Sequence, residues 1–411
     1  MSLKKLVAAL AVVAGCGFAI GQLLARAELS AQLPSDEPPS ANLVTPITRF
    51  LVVAGGGAPS YNEIALEKNV RYFQRTLAGL GFDPAAATVY FANGADGQAT
   101  VRYLNPLGQE RFKVPDIPNL SGAATPSNLL GWLERSQAEE PCPRFFYFTG
   151  HGALNRENAD NNALILWGEQ LMSVQALATA LEPLPADQPF VAMMAQCYAG
   201  SFANLIYEGG NPENPVALQT RCGFFATIKT QPSVGCTPLV NEADYEDYSS
   251  SFFAGLIGRD RIGNPAPSAD YNQDGQVSYA EAHAFSKVDA KTTDLPISTV
   301  EAWLQRQASQ TSVRQILARP LTELRRLARP EQGFVIDSLV QELGFSPAQS
   351  FNQNLRQQPI NVRDEVQKAY GDRLRMELVN VATESKIRQQ GNQEALAVLD
   401  KLLTCEAGTW E

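Results

Sequence analysis

Two histidines and six cysteines are all the imidazole and thiol that this 411-residue chain carries. His151 stands between two glycines, in Tyr147-Phe148-Thr149-Gly150-His151-Gly152. Cys197 follows about one β-α-β crossover later, in Ala195-Gln196-Cys197-Tyr198-Ala199-Gly200-Ser201-Phe202. A thiol becomes a competent nucleophile when a base takes its proton or a neighbour lowers its pKa. An imidazole beside Cys197 supplies that base, so the pair predicts acyl transfer through a thioester. The backbone N–H groups of Cys197 and Gly152 are expected to hold the oxyanion. Glycines around His151 let the main chain turn sharply and a substrate come close. His283 has no flanking glycine and ends no strand; it reads as a surface or packing residue. The plain alternative is an inert Cys beside a His that caps a turn.

A second pattern concerns a cation. The twelve residues from Asp270 to Glu281 match the calcium loop at its diagnostic positions. Asp270, Asn272 and Asp274 offer side-chain oxygens, Gln276 a carbonyl, Ser278 a direct or water-mediated contact and Glu281 a bidentate carboxylate. Gly275 supplies the sharp turn and Val277 the apolar anchor. Pro265 and Pro267 deny the loop an entering helix, so the EF-hand is incomplete, while a helix over Tyr279–Lys287 follows. The expectation is a structural Ca2+ that braces that helix.

These residues need a scaffold, and the pattern supplies one. Continuous apolar runs at Arg49–Ala54, Thr88–Ala92, Arg144–Thr149, Phe190–Ala195 and Gly223–Lys229 read as buried strands. Leu66, Val70, Phe73, Leu77 and Leu80 recur at helical spacing, and Ser127–Gln137 and Ser173–Leu181 read as further helices. Apolar strands alternating with helices predict an α/β fold with a parallel sheet covered on both faces. Ligands of such sheets bind at the carboxyl ends of the strands. His151 and Cys197 both fall there. After Pro296 the pattern turns helical, at 300–307, 313–327, 335–343, 362–381 and 394–403.

At the two strand-end motifs the chain resembles the legumain branch of the caspase-like (clan CD) cysteine peptidases, over roughly Arg49 to Lys287. The resemblance implies a caspase-like fold, cysteine-type endopeptidase activity, Cys197 as nucleophile and His151 as base. It also implies an Asn after the first strand that orients the imidazole, and Asn62 occupies that place; capping of the following helix is its other reading. Glu63-Ile64-Ala65 stand where legumains carry a basic pair, and Ala195 where they carry an acid, so cleavage after Asn is not implied. The acidic segment Glu242, Asp244, Glu246 and Asp247 is one candidate for a pocket that selects Arg or Lys; a solvated loop is the other.

Charge and composition narrow the class. The net charge is -10, and the Lys and Arg beyond Pro296 balance the Asp and Glu there, so the excess lies in the first 296 residues. Nucleic-acid binders need clustered cations, so the expected partner is a protein or peptide and not a nucleic acid. Lys4 and Lys5 precede an uncharged run from Leu6 to Ala25, closed by Arg26. That reads as an export signal over residues 1–27, with three routes open: cleavage at Ala25-Arg26-Ala27, lipidation of Cys16 in a bacterial lipobox, or retention as a membrane anchor. A Pro-rich linker spans 28–47, a peptidase domain 48–296 and a helical region of unassigned partner 297–411. Export to the periplasm or cell envelope permits disulfides, and Cys222 with Cys236 is the expected bridge. The chain therefore reads as an exported, calcium-stabilised cysteine endopeptidase. The alternatives are a transpeptidase of the same family and a non-catalytic calcium-binding interaction protein.

Overall fold

The computed structural model describes residues 48–137 and 141–410. The export segment and linker expected over residues 1–47, Cys16 included, lie outside the described residues.

Seven strands form the main sheet, in the order β11-β10-β9-β6-β1-β2-β5. They are β1 (Arg49–Gly55), β2 (Thr88–Phe91), β5 (Leu120–Gly122), β6 (Arg144–Ala153), β9 (Phe190–Ala195), β10 (Arg221–Phe225) and β11 (Ile297–Ser298). Every pair is parallel except β10 with β11. Beyond the sheet edge β6 continues into an antiparallel ribbon with β7 (Ala163–Leu166) and β8 (Gln170–Ser173). A separate hairpin joins β3 (Val101–Leu104) to β4 (Glu110–Lys113).

Alternation along the strands feeds two cores, because successive side chains point to opposite faces. Phe50, Val52 and Ala54 of β1 join one cluster with Leu66, Val70 and Phe73 of α1 (Ile64–Gly79). Leu51 and Val53 join the other, with Leu129 and Leu133 of α2 (Pro126–Gln137) and Val174 and Leu177 of α3 (Val174–Leu181). Both faces being buried, the strands are apolar throughout, as a covered parallel sheet requires. The fold is α/β, with a mostly parallel sheet flanked by helices and followed by a helical region.

Two further helices pack on the first face, α4 (Tyr248–Ile257) and α5 (Tyr279–Asp289). The C-terminal region then contributes α6 (Thr299–Gln307), α7 (Gln310–Ile316), α8 (Leu321–Arg325), α9 (Pro330–Glu342), α10 (Phe351–Gln357), α11 (Glu365–Gln390) and α12 (Gln393–Glu406). The helix expected over 313–327 is divided between α7 and α8. Pro320 takes the N-cap of α8, since a ring without an N–H cannot continue a helix.

The boundary expected at 296/297 does not separate two bodies. β11 pairs with β10 across it, and the described residues on both sides of it fall in one compact unit. Arg373 of α11 is buried and donates to the carbonyls of Lys287, Ala290, Thr292 and Asp294. Trp410 inserts between Phe50, Phe73 and Phe145, with ring centroids at 5.0, 5.6 and 5.1 Å. The expected bridge is also corrected. Cys222 of β10 bonds to Cys405 of α12, and Cys142, Cys197 and Cys236 are free. Cys222 and Cys405 are buried within one core, whereas Cys236 packs at its rim, with its sulfur 3.6 Å from the Gly150 carbonyl.

Candidate active site

The register carries His151 and Cys197 to one place. Thr149 of β6 pairs with Ala195 of β9, so both residues stand two positions beyond the same rung at the carboxyl edge. The chains touch there. A Cβ on Gly152 would lie 2.0 Å from the Cys197 carbonyl oxygen, so the residue after His151 must be glycine. Gly200 is required likewise, because its Cβ would lie 2.8 Å from the backbone nitrogen of Lys229. Gly152, expected to lend its N–H to an oxyanion, lies opposite Leu164 in the β6–β7 ladder.

The imidazole is held by Glu63. His151 Nε2 lies 2.9 Å from Glu63 Oε2, and the other carboxylate oxygen accepts from Arg102 Nη2 at 2.9 Å. Arg102 also reaches Glu110, so the β3–β4 hairpin acts as a clasp on the carboxylate. Burial opposes ionisation of Glu63, but the bonds from His151 and Arg102 prevail and hold its carboxyl below the usual range. The Tyr61 ring packs edge-on against His151, with centroids 5.3 Å apart, and its hydroxyl donates to Glu169. With Nε2 committed to a carboxylate, Nδ1 is the ring nitrogen left to accept a proton.

Asn62 does something else. It is fully buried, its Oδ1 accepts from the Gly56 N–H at 3.0 Å, and its Nδ2 donates to the Thr100 carbonyl. It neither bonds His151 nor caps α1, whose N-cap position belongs to Glu63. It fastens the turn Gly55-Gly56-Gly57, where Gly55 has φ +105° and a Cβ on Gly56 would strike the Tyr61 carbonyl. Because α1 begins at Ile64, the side chain presented to the end of β6 is the next residue along. Asn62 is thus the chain neighbour of the residue that holds the imidazole, Glu63.

Cys197 Sγ accepts from the Ser233 N–H at 3.3 Å. Burial pushes its thiol up, the Ser233 amide pulls it down, and Asp294 adds to the rise. Asp294 is itself buried and accepts from the Val234 N–H and the Ser233 hydroxyl. Burial raises its carboxyl to about 7 against those bonds. Tyr198, directly after the thiol, adopts φ +61° and donates its N–H to the Gln231 carbonyl. The loop after β10 is thus pinned to Cys197 and to Tyr198.

The acidic segment forms no free pocket. Glu242 pairs with Lys68 and Arg75 and lies 3.8 Å from Arg261, while Asp247 caps α4 and accepts from Asn69. Asp244 and Glu246 are exposed. Of the two readings of His283, surface or packing, the second holds: it is buried, with Nδ1 2.7 Å from the Tyr248 hydroxyl and Nε2 3.2 Å from Glu301.

The loop from Asp270 to Glu281 wraps on itself. Asp270 accepts from the N–H groups of Asp274 and Gly275, Asn272 Oδ1 from Asp274, and Asp274 from Gln276. Gln273 and Gly275 take φ of +61° and +90°. Buried Glu281 closes the loop from α5, accepting from Tyr271, Asn272 and Ser278. The donors are all hard oxygens, the chemistry that suits Ca2+.

Comparison with known proteins assigns no family. No family model matches the sequence, and no curated protein matches it. Among solved structures, the crystal structure of protein GSU0716 from Geobacter sulfurreducens aligns with a TM-score of 0.33 and 13% identity, covering 57% of this chain and 87% of that one. A likeness at that level carries no argument.

Proposed function

We propose that the chain is an exported cysteine endopeptidase of the caspase-like kind, stabilised by calcium. The observation that carries the reading is the close approach of Gly152 to Cys197 at the carboxyl edge, beside an imidazole whose Nε2 is fixed on Glu63. Cys197 gives its proton to His151 Nδ1 as the sulfur attacks the peptide carbonyl. His151 returns that proton to the departing amine. Water, deprotonated by the same nitrogen, then hydrolyses the thioester; an amine in its place gives the transpeptidase variant. Glu63 fixes the tautomer and stabilises the imidazolium, and backbone N–H groups of Cys197 and Gly152 are the proposed oxyanion donors.

Asp270, Asn272, Asp274, the Gln276 carbonyl, Ser278 and Glu281 would hold Ca2+, which would supply rigidity to the start of α5 and no chemistry. The disulfide supports an oxidising compartment. One observation favours the non-catalytic reading: the Cys197 thiol is raised rather than lowered, so attack depends on proton transfer to His151 in the same step.

Labelling with a peptidyl acyloxymethyl ketone decides between them. The wild-type chain, with calcium present, is expected to form an adduct at Cys197, and Cys197→Ala is expected to form none. Equal labelling of both chains, or none of either, overturns the enzyme reading.

A further inference from the structure

One thiol beside the imidazole has no part in the proposed chemistry. Cys236 Sγ, a ring nitrogen of His151 and a carboxylate oxygen of Glu63 all lie within 4.8 Å of one another. Glu63 contributes a nearly buried carboxylate and His151 a ring that is 22% exposed, so the cluster has a wall and an opening. We propose that Cys236, His151 and Glu63 form a reversible zinc site that switches off the catalytic imidazole.

Ligand chemistry selects the ion. Thiolate, imidazole and carboxylate together suit zinc and disfavour calcium and magnesium, which take oxygens. Bond lengths of about 2.0–2.3 Å in a tetrahedron set ligand atoms about 3.3–3.6 Å apart, so the 2.9 Å His151–Glu63 pair has to open slightly while no separation, all being within 4.8 Å, has to close by more than about an ångström. A thiolate and a carboxylate together match the charge of one divalent cation. Arg102 on the second Glu63 oxygen orients the carboxylate, as outer partners of metal ligands do.

Burial pushes the Cys236 thiol well up, helped by Glu63, Cys197, Asp247 and Asp294. Binding forms Zn–S, Zn–N and Zn–O bonds, releases the thiol proton to solvent and moves no electron. The fourth position is left to water. A ring nitrogen held by the metal, and a ring drawn from its seat on Glu63, cannot take the Cys197 proton. The consequence for activity rests on the peptidase reading; the metal site does not.

The test uses the full chain carrying Cys197→Ala, with excess calcium to occupy the oxygen-rich loop, titrated with cobalt(II). One equivalent is expected to give a sulfur-to-cobalt charge-transfer band and tetrahedral visible bands, both removed by zinc. Cys236→Ser in the same background is expected to lose the charge-transfer band and to bind at least about tenfold more weakly. In case that variant misfolds, zinc is also expected to protect Cys236 of the Cys197→Ala chain from alkylation, read by peptide mass. A charge-transfer band that survives Cys236→Ser, or unchanged alkylation, overturns the site. In the chain with Cys197 intact, zinc is expected to inhibit peptide cleavage and Cys236→Ser to relieve that inhibition at least about tenfold. Zinc inhibition equal in both chains overturns the switch even where cobalt binds. A chain that binds cobalt as described but cleaves no peptide keeps the site and sinks the peptidase reading alone.

Discussion

Glu63 Oε2 lies 2.9 Å from His151 Nε2, and this bond decides which nitrogen of the imidazole is free. Glu63→Gln keeps the volume but can present an N–H to Nε2, which favours the wrong tautomer. The expected result is a loss of roughly 10²–10⁴-fold in kcat with KM little changed, and partial recovery in Glu63→Asp. Asn62→Ala, by contrast, is expected to lower the melting temperature through the Gly55–Gly57 turn. Peptide-hydrolysis kinetics and thermal melts on the three variants separate positioning from folding.

Asp294 gives the fold a pH signature. Its carboxyl, raised to about 7, keeps a proton that the unfolded chain has released above about 4. Between those values the unfolded state binds fewer protons, so this group's contribution to stability falls as pH rises. Asp294→Asn is neutral throughout. Its stability relative to wild type is expected to rise from pH 4 to 7 by up to about 4 kcal/mol and then level off. Urea midpoints across that range are the check; a difference that does not vary with pH refutes the assignment.

Calcium should act on stability. Chelation is expected to lower the melting temperature of the wild-type chain, and Asp274→Ala to remove that response. A melting curve indifferent to chelator rules out the loop as a calcium site. The same melts done with magnesium alone are expected to resemble the chelated protein, because Mg2+ gives up its water reluctantly.

Glu242 tests the substrate side. With Lys68, Arg75 and Arg261 around it, Glu242→Gln is expected to cost about 1–3 kcal/mol of stability. Profiling with a peptide library is expected to return the same preferred residue at the cleaved bond for variant and wild type. A selective loss of cleavage after Arg or Lys would restore the acidic segment as a specificity pocket.

The disulfide spans 183 residues. Closing so long a loop lowers the entropy of the unfolded chain by an amount worth on the order of 5 kcal/mol. Cys222→Ser with Cys405→Ser is expected to melt several degrees lower, and reductant to bring the wild type to the same point.

The sheet was legible because β1, β6 and β9 are apolar on both faces, a pattern that needs no partner to be recognised. Cys197 and His151 were legible for the same reason, since each follows a readable strand. The β3–β4 hairpin was not, because Glu110–Lys113 is polar and mostly exposed; its use lies in the reach of Arg102 to Glu63. That contact spans 39 residues, and no local periodicity encodes it. Glu63 was hidden in another way. It sat in the motif as a departure from a family pattern, and only the start of α1 turns it rather than Asn62 toward the imidazole. Cys222 met its partner only through the return of α12 to the sheet, a fact of packing that cysteine spacing cannot convey.

Trp410 adds a matter of timing. Its ring plugs the space between Phe50 and Phe145, on adjacent strands, and Phe73 of α1, all made well before it. A nascent chain grows at about 5–20 residues per second and ordinarily folds from its N-terminal end as it emerges. Here the core of β1, β6 and α1 stands unplugged until residue 410 has been made and the chain is free to fold. Until then the aromatic cavity is open to chaperones, to proteases and to other chains. A chain cut short before Trp410 therefore lacks the plug of this core, on whichever side of a membrane it folds.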